Sequence, residues 1–323
     1  MNRFVLDPQA QALLDLAAQR GAKPLSGFPP VQAREAYRAS RLPLQPKPPQ
    51  DLQVRDFNLD GPGGALPVRE YRPQVHPGSG STLAVNAVLP ALVFFHGGGW
   101  VLGDRNTHDV LCRMLCVQSG CAVFSVDYRL APEHPFPAAF DDACAAVKQI
   151  AAQAQALCID PLRLSVGGDS AGGNLATAAA LALRESAMPA LAAQVLAYPV
   201  TDVSAQTASY LDHARGYALT AADMHYFRDH YLPDAALHTD WRASPLRAAS
   251  LQGLPPALVL TAGYDPLRDE GRLYADRLAQ AGVAVQYVCF ERQMHGFLGM
   301  GGVIDEANLA VRWCADWLRH QLA

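Results

Sequence analysis

The sequence has no dense run of Lys or Arg. Its 26 basic residues are set against 30 acidic ones, for a formal net charge of -4. A balance this close to neutral leaves no electrostatic footprint for nucleic acid or an anionic membrane surface, so neither is expected as a partner. Long apolar runs are also missing. Stretches such as Ala176–Leu183 fall far short of the ~20 residues that span a bilayer, and no stable membrane association is expected. The opening "MNRFVLDPQAQ" has no apolar signal-peptide core ahead of its first acid, which points to a cytoplasmic location. The seven cysteines are odd in number and form no Cys-x-x-Cys pair. Cys112 and Cys116 share a helix face, but no second pair or histidine cluster completes a metal site. They read as reduced thiols packed as small hydrophobes.

The chain does have bulk and order. Half of its 323 residues are apolar, enough for one large core with a small appended lid. Two N-terminal segments, "DPQAQALLDLAAQRG" and "PPVQAREAYRAS", read as helices, the first with Asp7 as cap and Pro8 in its first turn. The prolines of "LPLQPKPPQD" read as a stiff linker. "QVRDFNLDG" and "ALPVREYRP" read as an antiparallel pair around "DGPGG". Beyond them, strands such as "LPALVFF", "CAVFSVDYR", "RLSVGGD", "AQVLAYPV", "ALVLTAGYD" and "VAVQYVCFE" alternate with helical segments. Unbroken apolar strands alternating with helices specify a mostly parallel α/β sheet covered on both faces. One segment, residues 202–241, breaks the alternation. It is polar, aromatic-rich and helical in pattern, and reads as a lid inserted at a strand exit. The division expected is therefore 1–45 as a helical part of the cap, 46–201 and 242–323 as the core, and 202–241 as the cap insertion.

The chemistry centres on "VGGDSAGGN". Gly168 and Gly172 flank Ser170 in a G-x-S-x-G spacing between a strand and a helix. Small residues are needed where the two backbones close tightly, and the turn pushes the serine Oγ out at the carboxyl end of the sheet. The competing reading is a glycine-rich turn whose serine caps a helix. "FFHGGGW" follows another buried strand, and its glycines can turn backbone N–H groups toward one point to hold an oxyanion. The N–H of Ala171, just after the serine, would be a further donor. A loose loop or a phosphate cradle is the alternative, though no Lys-Ser/Thr follows as in a P-loop. A base must come later, and His295 in "QMHGFLG" lies just after the last strand. His213, His225, His230 and His238 sit in the insertion and read as surface residues, and His96 reads as orienting the glycine loop. Asp265 directly follows a strand and suits the acid, with Asp269 and Glu270 as weaker candidates. The order Ser…Asp…His is that of α/β-hydrolases.

With "HGGGW", "DYRLAPEHPFPAAFDD", "GDSAGGN", "YPVTD", "YDPLRDEG" and "MHGF" in that order, the sequence resembles the hormone-sensitive lipase family of serine esterases, its bacterial members above all. The resemblance runs from about Leu89 to the C-terminus. It implies the α/β-hydrolase fold with a small helical cap, with Ser170 as nucleophile, His295 as general base and acid, and Asp265 as its partner. The oxyanion donors it implies are Gly98, Gly99 and Ala171. The expected reaction is carboxylic ester hydrolysis through an acyl-enzyme, on short- to medium-chain acyl esters, with no metal or organic cofactor. An amidase or peptidase with the same triad is the alternative. A non-catalytic ligand receptor on this fold is disfavoured because His295 stands in its motif. The partner is a small-molecule ester, and a homodimer is compatible with the sequence. Arg129 and Glu133 are expected to pair, Asp169 to support the site by hydrogen bonding, and Tyr198 either to line the pocket or to pack.

Overall fold

The computed structural model describes residues 4–74, 87–186 and 188–323, so the first three residues of the expected N-terminal cap lie outside the described residues. Helices α1 (Pro8–Gln19) and α2 (Pro30–Arg41) lead into the antiparallel pair β1 (Leu52–Gly61) and β2 (Gly64–Pro73). Then follow β3 (Leu89–Phe95), α3 (Asp109–Ser119), β4 (Ala122–Val126), α4 (Ala138–Ala152), β5 (Ile159–Asp169), α5 (Ala171–Leu183) and β6 (Ala193–Ala197). The insertion contributes the short α6 (Ala208–Asp212) and α7 (Ala221–Tyr231). The chain closes with β7 (Ala257–Tyr264), α8 (Arg268–Gln280), β8 (Val285–Met294) and α9 (Asp305–Gln321).

The eight strands form one sheet in the order β1-β2-β4-β3-β5-β6-β7-β8. Only β1 with β2 and β2 with β4 run antiparallel; the other neighbours are parallel. The mostly parallel sheet expected from the unbroken apolar strands is present, and β3 shows why. Ala91, Val93 and Phe95 join a core with α4, α5 and α8, while Leu92 and Phe94 join a second core with α3 and α9. Successive side chains point to opposite faces, so a strand covered by helices on both sides must be apolar throughout.

The two N-terminal helices go to different places. Asp7 caps α1, accepting from the N–H of Gln9 at 2.8 Å, and α1 docks on the far end of the chain. There Asp7 N–H donates to Arg292 O at 2.9 Å, and Gln9 exchanges hydrogen bonds with Asp305. Helix α2 instead crosses the carboxyl end of the sheet, where Ala33 and Tyr37 enter the first core.

Candidate active site

Ser170 sits between β5 and α5 with φ +55° and ψ -119°, a conformation non-glycine residues avoid. The closeness of strand and helix forces it. A Cβ on Gly168 would stand 2.4 Å from Phe95 O, and one on Gly172 only 1.9 Å from that same atom. The glycines on both sides are therefore a steric requirement of the turn. Ser170 N–H is tied to Ala197 O at 2.9 Å.

Two further strand ends bring up its partners. His295 follows β8, and its Nε2 lies 3.0 Å from Ser170 Oγ. Asp265 follows β7 and is fully buried, and its Oδ2 accepts from His295 Nδ1 at 2.7 Å. The other Asp265 oxygen accepts from Leu267 N–H at 2.9 Å, which fixes the carboxylate plane. The weaker candidates point elsewhere. Asp269 accepts from Ser209 N–H at 2.8 Å and pairs with Arg268. Glu270 accepts from Thr201 N–H at 2.6 Å in full burial, and that burial pushes its pKa well above the ordinary glutamate value.

The glycine loop after β3 borders the same cleft. Gly98 (φ +125°) and Gly99 (φ +61°) line it beside Ser170. Among the described residues, the N–H groups of Gly98, Gly99 and Ala171 have no acceptor in the protein. The loop is held from several sides. Asp169 accepts from Gly97 N–H at 2.8 Å and meets His108 Nε2 at 3.2 Å. Burial raises the Asp169 pKa, but His108 and the Gly97 N–H outweigh it and hold the carboxyl below its usual value. His96 donates from Nδ1 to Gly97 O at 2.9 Å and stacks on Tyr128 at 4.3 Å. Burial, with His108 close by, lowers its pKa to about 4, so it is neutral in ordinary buffers. It braces the loop, as the sequence suggested. Trp100 stacks on Tyr231 of α7 with ring centroids 4.4 Å apart, and a Cβ on Gly99 would strike the Phe227 ring at 2.2 Å.

Some expectations need correction. Arg129 and Glu133 do not pair. Arg129 forks onto Asp142 at 2.8 Å, and Glu133 meets Arg34 of α2 at 2.6 Å, because the bent segment between them turns the two side chains to different elements. His213 is not a surface residue. It is buried against Tyr217 and Tyr264, and burial together with Arg268 lowers its pKa. His225 is exposed, and His230 and His238 are partly so. Tyr198 packs, buried 4.7 Å from the His295 ring, rather than lining the cleft.

A helical N-terminal part was expected beside the site, but the two arginines that α2 brings to it were not. Arg34 donates from Nε to Val101 O at 2.8 Å, behind the glycine loop, and Arg41 donates to Gly296 O at 3.1 Å, beside His295. The signal was their spacing along one helix face, which reads equally as a solvated charged stripe. The cleft measures about 1030 Å3 with its mouth included. Leu25, Tyr37 and Arg41 line it from the N-terminal part, Leu219, Met224 and Phe227 from the insertion. Among the described residues no group of three His, Cys, Asp or Glu is placed to hold a metal, and no helix is long and apolar enough to cross a membrane.

Comparison with known proteins agrees with this architecture. A family model for the alpha/beta hydrolase fold matches residues 92–299. The carboxylic ester hydrolase LipN of Mycobacterium tuberculosis is 42% identical over 304 residues, covering 91% of this chain and 77% of LipN. An ethyl acetate hydrolase of Pseudomonas putida is 39% identical over 325 residues, covering 98% and 99%. A solved ester hydrolase from the metagenome of Lake Arreo, bound to a bipyridine phosphonate derivative, superposes with a TM-score of 0.92 at 42% identity, covering 98% of this chain and 99% of that one. On the strength of these matches and the strand order that frames the site, the chain belongs to the alpha/beta hydrolase family, among its hormone-sensitive lipase-like carboxylesterases.

Proposed function

We propose that this carboxylesterase works through a Ser170–His295–Asp265 triad and a backbone oxyanion hole made by Gly98, Gly99 and Ala171. The observation that carries the reading is the continuous chain from Ser170 Oγ through His295 to Asp265, at 3.0 and 2.7 Å, on a strained elbow facing the glycine loop. Ser170 Oγ attacks the ester carbonyl carbon while His295 Nε2 takes its proton. The carbonyl oxygen, now negative, is met by N–H groups already held in place, so little reorganisation is needed as charge develops. His295 returns the proton to the leaving alcohol, and the acyl-enzyme is then hydrolysed by a water that His295 deprotonates. Asp265 keeps the Nδ1–H tautomer and offsets the imidazolium charge.

The preferred substrates are small esters with acyl chains of roughly four to eight carbons, because each CH₂ adds at most ~0.8 kcal/mol while it is still being buried and the cleft is finite. Residues 1–45 and 202–241 act as a cap on a core made by 46–201 and 242–323. The test is Ser170→Ala assayed on a soluble butyrate ester. Turnover is expected to fall by on the order of 10³-fold or more with the fold intact. Activity within tenfold of the parent would refute the triad.

A further inference from the structure

A second pocket, about 450 Å3 with its mouth included, lies on the other side of two residues that also line the catalytic cleft, Trp100 and Met224. These two residues belong to the linings of both spaces. They are unlike in stiffness. Trp100 is 1% exposed and clamped by its stack on Tyr231. Met224 lies in the first turn of α7, where its N–H is tied to Thr220 O at 3.0 Å, so the backbone is fixed. Its unbranched side chain has three rotatable bonds and can take up several shapes at little cost. The shared lining also contains an uncommitted donor. The indole Nε1 of Trp100 is buried and, among the described residues, has no hydrogen-bond partner, a state that any acceptor brought within reach relieves.

The second pocket has its own chemistry. Gln206, Tyr210, His225 and Arg228 line it, and no acidic side chain does. Among the described residues, the Arg228 guanidinium approaches only its neighbour Asp229, at 3.3 Å, and that carboxylate is largely exposed. An ion pair whose carboxylate is this open to solvent holds its cation weakly.

We propose that this pocket is an extension of the substrate site, that it receives the far end of the longer arm of an ester, and that Met224 is the specificity-determining residue that opens or closes it. The far end it suits carries a hydrogen-bond acceptor and negative charge, such as a carboxylate, which Arg228 and Gln206 would meet. This rests on the ester-hydrolase reading above, and turnover of a short butyrate ester by the parent enzyme checks that reading separately.

The experiment compares kcat/KM for long esters with that for the butyrate ester, lengthening the acyl arm in one series and the alcohol arm in another. Each long arm ends in a carboxylate, a methyl or a trimethylammonium group. In Met224→Ala the long-to-short ratio is expected to rise at least ~tenfold in one series, while Met224→Leu, similar in volume but branched and stiffer, is expected to leave the ratio at or below that of the parent. Carboxylate-ended esters are expected to lead, and Arg228→Gln to remove that lead, about a tenfold loss of discrimination. Near-ultraviolet circular dichroism checks that each variant keeps its packing. A ratio in folded Met224→Ala within twofold of the parent in both series overturns the proposal. A ratio that rises equally for all three ends, or a carboxylate lead that survives Arg228→Gln, overturns the chemistry assigned to the pocket.

Discussion

At the scale of the residue, the site turns on which carboxylate meets His295. Asp265 is buried with one oxygen on the imidazole and the other on a backbone N–H, whereas Asp269 braces Ser209 at the base of the insertion. Asp265→Asn is therefore expected to be far the more damaging change. An amide in that place favours the wrong imidazole tautomer, and in the serine-protease precedent the loss reaches ~10⁴ in kcat. Asp269→Asn is expected to lower turnover by less than about tenfold, since it loosens the hydrogen bond to Ser209 and the ion pair with Arg268 at the base of the insertion and touches neither His295 nor Ser170. Steady-state kinetics of the two variants decide it, and a crippled Asp269→Asn beside a working Asp265→Asn would reverse the assignment. Ser170, His295 and Asp265 were legible as candidates because each directly follows a strand. Arg34 and Glu133 were not. Their partnership joins residues 99 positions apart, and nothing local marks either side chain as reaching so far.

At the scale of the element, the glycine loop carries a built-in sensitivity to acid. His96 is neutral in the folded protein because burial, then His108, lowers its pKa to about 4, while an unfolded histidine titrates near 6.5. The unfolded chain therefore binds more protons between those values, and stability falls as pH drops from about 6.5 through 4. A difference of ~2.5 pKa units corresponds to about 3 kcal/mol. His96→Gln removes that group. Denaturant unfolding at several pH values is expected to show the variant less stable than the parent at pH 7. The gap should close by about 3 kcal/mol on going to pH 4, and a gap independent of pH would mean that His96 does not carry the acid sensitivity. The strands themselves were readable from their apolar runs. The fate of the two N-terminal helices was not, because α1 and α2 look alike in sequence, yet one docks on α9 and the other reaches the cleft.

At the scale of the whole molecule, the cleft is assembled from segments far apart in the chain, and α2 ties two of them together. Arg34 holds the glycine loop through Val101, and Arg41 holds the His295 loop through Gly296. Removing residues 1–40 takes away Arg34, Tyr37 and Leu25 together. The truncated enzyme is expected to lose about tenfold or more in kcat on a butyrate ester, and to show a flatter acyl-chain profile because part of the apolar wall has gone. A truncated enzyme that keeps both the turnover and the profile of the full chain would remove the N-terminal segment from the site. The full-length enzyme is expected to favour short soluble esters over emulsified long-chain triglycerides, and the reverse preference would defeat the finite-cleft argument.

The stacking of Trp100 on Tyr231, and of Phe227 over Gly99, has a consequence for how such an enzyme can change over generations. The residues that would select substrates, Met224 and Phe227, and the residue that clamps the glycine loop, Tyr231, lie on the same eleven-residue helix. A mutation that widens the cleft by shifting α7 also moves the support of the glycine loop and of the oxyanion donors proposed there. Substrate range and turnover are thus inherited together. Lineages that acquire new esters through this helix should pass through slower intermediates, and faster descendants should carry compensating changes around Trp100.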